Sequence, residues 1–128
     1  MKNEIKCVNK IQQVPYKFQS LADIRSSLLL LSHLEKQEWY QLETDINNIL
    51  DDFTIKLRQD YPNLTKDDIQ FILLIRIGMS HEEISNLCGI LQSSFRKRRS
   101  RLKKKMNVQC DSITEFIKNI YPSSPKQP

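Results

Sequence analysis

The sequence predicts an all-α protein, and three observations carry that expectation. Along most of the chain apolar residues recur at intervals of three and four, the period of a helix. Leu, Ile, Lys and Gln are among the commonest residues, and most of these types lose little on entering a helix. Only two glycines occur in 128 residues. That is too few for sheets joined by tight hairpins, or for a glycine-rich phosphate loop.

Length and composition set the outer limits. A chain of 128 residues builds one modest core, and 39% apolar with 27% charged residues is an ordinary soluble mix. Three cysteines (Cys7, Cys88, Cys110) form no C-x-x-C pair, which reads as reduced thiols rather than a disulfide framework. The opening "MKNEIKCVNK" leads into no apolar signal segment, and "LLLL" at Leu28–Leu31 is far too short to span a bilayer. A cytoplasmic protein without membrane contact is expected.

Charge is unevenly distributed. Residues 35–68 carry nine acidic and four basic side chains, whereas residues 91–106 carry eight basic ones and no acidic one. A basic surface concentrated in sixteen residues points to a polyanionic partner.

Residues 1–19, with Pro15, read as an irregular arm. From Ser20 the helical period begins: Leu21, Ile24, Leu28 and Leu31 share one stripe, and Trp39, Leu42, Ile46, Ile49, Phe53 and Leu57 share a second. The eight-residue step between them places a bend or a stutter near 33–37. The spacing predicts that the second stripe runs as one helix to "YPNLT", where Pro62 ends it. Residues 20–60 are therefore read as a helical linker or dimerisation segment. Its coiled-coil-like first stripe (Leu21, Ile24, Leu28, Leu31) is the expected homodimer seam, with packing inside one chain as the alternative.

Beyond residue 60 the starts and stops are explicit. Thr65 with Asp68 and Ser80 with Glu83 form capping boxes, with Leu64/Ile69 and Met79/Ile84 as hydrophobic staples. Gly78 and Gly89 stand where the two helices should end. The basic run is itself amphipathic: Phe95, Arg99, Leu102 and Met106 fall on one stripe, and Arg96, Lys97, Ser100, Lys103 and Lys104 point elsewhere. A disordered tail has no reason to place apolar residues this way, so the run is predicted to be a helix. A last helix, opened by Ser112 and Glu115, carries Ile113, Phe116, Ile117 and Ile120. A short helix, a glycine turn and a longer basic helix describe a helix-turn-helix unit within residues 61–121; residues 122–128 read as a flexible tail.

The stretch "LTKDDIQFILLIRIGMSHEEISNLCGILQSSFRKRRSRLKKKMNV" resembles the LuxR-type (GerE-like) DNA-binding domain of bacterial transcription regulators. The matching positions are Leu64-Thr65, Gly78, Ser80, Glu83-Ile84, Ile90, Ser94-Phe95 and Lys104-Lys105-Met106. The preceding segment, from Glu35 through Trp39 to "YPNLT", resembles the output end of bacterial sensor-regulators. The resemblance implies a four-helix domain that places the helix from about 92 to 107 in the major groove of double-stranded DNA. It implies base contacts from Arg96, Lys97 and Ser100, and phosphate contacts from Ser80, Ser94, Arg99, Lys103 and Lys104. The chain departs from the family pattern at Leu91, Phe95, Ser85 and Arg98, where Ser, Val, Ala and His are usual.

No enzyme signature is present. His33 and His81 lie far apart, no metal-ligand spacing occurs, and the paired carboxylates fall in helical, solvent-facing contexts. No cofactor is expected. The rival to a DNA-binding regulator is an interaction module whose basic helix meets an acidic partner or grips DNA without reading it. RNA polymerase is a further candidate partner.

Overall fold

The computed structural model describes residues 20–122, which form seven helices and no strand. These are α1 (Leu21–Leu28), α2 (Lys36–Ile49), α3 (Phe53–Asp60), α4 (Lys66–Arg76), α5 (His81–Cys88), α6 (Gln92–Met106) and α7 (Ile113–Lys118). The all-α expectation holds for these residues. The arm at 1–19 and the tail from 123 lie outside them.

Local side-chain chemistry starts most of the helices. The Ser20 hydroxyl accepts from the Asp23 N–H at 3.2 Å and opens α1. Thr65 and Asp68 bond reciprocally at 3.1 and 2.9 Å before α4, and Ser80 and Glu83 do the same before α5. At α7, opened by Ser112 and Glu115, only half of such a box forms, from the Glu115 N–H to Ser112 Oγ. α2 starts without a serine or threonine: Glu38 reaches back to the Glu35 N–H at 2.7 Å. Gly78 (φ +98°) and Gly89 (φ +67°) close α4 and α5 in a backbone region that strains any side-chain-bearing residue.

One expectation about residues 20–60 needs correction. The second stripe is not one helix, because the chain turns at Leu50–Asp52 between α2 and α3. Asp51 and Asp52 both adopt left-handed backbone (φ 52° and 61°), which short polar side chains tolerate best. The corner is fastened from inside. Asn47 Oδ1 accepts from the Thr54 N–H and Asn47 Nδ2 donates to Thr54 Oγ1, each at 2.9 Å, while Thr54 Oγ1 donates to Glu43 Oε2 at 2.7 Å. Thr54 is fully buried with its hydrogen bonds made, so the corner avoids the penalty of an orphaned polar group. The break also changes which residues face inward: Leu50 is 2% exposed, while Ile49 is only half-buried.

The four residues of the expected coiled-coil seam divide between core and surface. α1 has eight residues, two turns, and then tightens through bonds from Leu30 N–H to Ser27 O and from Leu31 N–H to Leu28 O. Ile24 (2% exposed) and Leu28 (7%) are buried in this chain's own core, and Leu21 packs half-buried beside them. Arg25 holds α1 against α5 through a 2.7 Å ion pair with Glu83. Ile24 and Leu28 thus pack inside one chain, the alternative reading of this stripe. Leu31 is exposed instead, beside Leu29 and the 86%-exposed Leu30.

One cluster of buried side chains runs from Ile24 through α4, whose Ile72, Leu74 and Ile75 are fully enclosed, to Ile120. The 20–60 segment and the 61–121 segment therefore share a core. Arg76 Nε donates to Ile120 O at 3.0 Å, the Tyr121 hydroxyl donates to the Asp60 carboxylate, and the Tyr121 ring meets Phe53 edge-on at 5.7 Å. These contacts bind the end of α7 to both α4 and α3. The result is a rigid frame under one face of α6.

Candidate nucleic-acid interface

α6 begins after Leu91, whose extended backbone occupies the cap position and whose side chain makes no capping bond. Leu91 is 73% exposed, so it is not a core residue held there by packing. A serine at this position accepts from the free N–H groups of the first turn. Leu91→Ser is expected to stabilise the fold by about 1 kcal/mol, read as a rise in melting temperature. A fall of several degrees would show that the leucine is needed.

One face of α6 is anchored inward. Phe95, Leu102 and Met106 are 2%, 1% and 3% exposed, and the Phe95 ring centre lies 4.9 Å from that of Phe71 and 4.3 Å from that of His81. The opposite face carries Ser93, Arg96, Lys97, Ser100, Arg101 and Lys104, all exposed. Their steps of three and one keep them on a single surface, because i, i+3 and i+4 neighbours align on a helix.

The eight cations of the run divide by what they touch. Lys105 pairs with Asp68 at 2.6 Å, tying the end of α6 to the start of α4. Burial raises the Asp68 pKa, but the bonds from Lys105 and Thr65 outweigh it and hold this carboxyl below its ordinary value. Arg98 lies over the Phe71 ring at 5.4 Å and Arg99 over the Phe95 ring at 5.5 Å. The remaining five, Arg96, Lys97, Arg101, Lys103 and Lys104, have no acidic partner within ion-pair distance among the described residues. Unpaired cations on one exposed helix face repel each other until something negative arrives.

Of the residues expected to touch DNA, Arg96, Lys97, Ser100 and Lys104 are brought together on this face. Ser94 is exposed in the first turn and Lys103 is half-buried at the side. Arg99 is not with them: it is half-buried, and its Nε is enclosed without a hydrogen-bond partner. Ser80 sits at the start of α5, its hydroxyl oxygen occupied by the Glu83 N–H. Ser85 is 6% exposed, and its hydroxyl has no partner among the described residues either. Sequence reasoning missed the Arg25–Glu83 pair, since no local pattern links residues 58 apart in the chain.

His81 supports the anchored face from α5. Burial lowers its pKa, and the nearby charges of Arg99 and Lys118 lower it further. The neutral imidazole is thus the form that folding favours, and the unfolded chain binds the extra proton more readily. Stability is expected to be full above the unfolded pKa, near 6.5, and to decline as pH falls through the interval between that value and the lower folded one. His81→Phe should flatten this part of the stability–pH curve; an unchanged curve would assign the dependence to other groups.

Among the described residues no group of three or more His, Cys, Asp or Glu could hold a metal, and no helix is long and apolar enough to cross a membrane. No family model, curated protein or solved structure matches the chain.

Proposed function

We propose that this chain is a sequence-specific DNA-binding transcription regulator of LuxR type. In this reading α5, the turn Gly89–Leu91 and α6 act as a helix-turn-helix, with α6 in the major groove. The observation that carries it is the exposed face of α6, where Arg96, Lys97, Arg101 and Lys104 stand free of acidic partners opposite a fully packed seam. A 15-residue helix is about 22 Å long, and the major groove, about 12 Å wide, admits a helix carrying its side chains. Arg96 and Lys97 near the helix start suit guanine edges, which present two acceptors to a cation, while Lys104 two turns on suits a phosphate. The short alcohols Ser94 and Ser100 add neutral donors without crowding the face.

A homodimer completes this reading, because one recognition helix reads few bases and two half-sites multiply the discrimination. With Ile24 and Leu28 packed in the core, the exposed turn Leu29–Leu31 offers a second chain three consecutive leucines. A monomer in sedimentation at tens of micromolar would remove this part of the proposal.

The deciding experiment is selection of bound sequences from random duplex DNA with the purified protein. Enrichment of one site, retained as salt is raised, is the expected result. Binding that weakens with salt and enriches nothing would favour the non-reading interaction module instead.

A further inference from the structure

We infer that the groove between α2, α3 and the start of α4 binds a small aromatic carboxylate. It is an open groove of about 830 Å³, within the size range of small-molecule sites, and it lies apart from the exposed face of α6. Its deep lining is apolar, with Ile69 and Leu73 buried and Leu64 half-buried. Trp39 and Tyr61, both half-buried, line it as well, and Tyr40 stands 74% exposed beside them. Two partly covered aromatic rings over an aliphatic base favour a flat ring, which can stack or pack edge-on.

Charge selects the rest of the ligand. Glu43 and Arg58 also line the groove, but they neutralise each other at 2.9 Å. Burial raises the Glu43 pKa, yet the bonds from Arg58 and Thr54 outweigh it, so the carboxylate stays ionised and occupied. It is not free to attract a ligand cation. Lys36 and Lys66 are exposed and line the groove without an ion-pair partner among the described residues, as does one carboxylate, Asp67. Their balance is therefore positive. A ring joined to a carboxylate by a short tether matches an apolar base and a cationic rim together.

Trp39 is the chain's one tryptophan; it borders this groove and a smaller one beside Phe71 and Leu87, so its emission reports binding, the Lys36 and Lys66 variants assign it to this groove, and the test needs no DNA. Hydrocinnamate added to the full chain is expected to change Trp39 emission saturably. Phenylpropylamine, the same ring with the opposite charge, should bind about tenfold more weakly. The double variant Lys36→Gln/Lys66→Gln should lose several-fold in affinity for hydrocinnamate, keep that for uncharged hydrocinnamamide, and melt as the unaltered protein does. No saturable change with hydrocinnamate, or equal binding of acid and amine, would overturn the inference. Equal loss of acid and amide in the double variant would do so too.

Discussion

Phe95→Ala is expected to cost about 3–5 kcal/mol of stability, because a fully enclosed ring is removed and its neighbours cannot collapse into the space. Phe95 is 2% exposed and lies against Phe71, His81 and the Arg99 guanidinium at once. Its loss strips Arg99 of the ring beneath it and leaves the first turns of α6 without an apolar anchor. For a domain whose whole stability is on the order of 5–15 kcal/mol, such a change approaches unfolding at physiological temperature. Urea titration followed by circular dichroism checks it. Arg96→Ala, one residue along but on the opposite face, should stay within about 0.5 kcal/mol of the unaltered protein. A cost below about 1 kcal/mol for Phe95→Ala would mean that the seam does not hold α6.

The second large effect concerns DNA and rests on the proposed reading. Arg96→Ala and Lys97→Ala are each expected to reduce discrimination between the selected site and random duplex by roughly tenfold or more, as loss of about 1–3 kcal/mol of base readout implies. Lys104→Ala should weaken both complexes about equally and lower the slope of log affinity against log salt by about one. All three side chains are exposed and have no acidic partner among the described residues, so stability should not move and the binding changes can be read directly. Equal losses of specific and non-specific binding in all three variants would count against the major-groove assignment.

The helices opened by Thr65 and Ser80, and the stops at Gly78 and Gly89, were readable from the sequence because each depends on residues three or four apart. The amphipathic character of residues 92–106 was readable for the same reason. The break between α2 and α3 was not: the apolar spacing of Ile46, Ile49 and Phe53 fits a continuous helix. What interrupts it is a network in which Asn47 and Glu43 bond Thr54 and Arg58 donates to Glu43, formed only once α3 folds back. The fate of Ile24 and Leu28 was equally hidden, since an apolar stripe carries no mark of whether its partner is its own chain or another.

By itself, then, the sequence determined the helical class, the capped starts of α4 and α5, and the facing of α6, with Phe95, Leu102 and Met106 inward and Arg96, Lys97 and Ser100 outward. All of these follow from interactions within about one helical turn. Only the tertiary structure decided which of the eight cations remain free. Lys105 is claimed by Asp68, 37 residues away, and Arg98 and Arg99 lie on aromatic rings, one carried by another helix and one by α6 itself. Formal charge is fixed by residue type, but its availability depends on which acids and rings the packed core carries within reach.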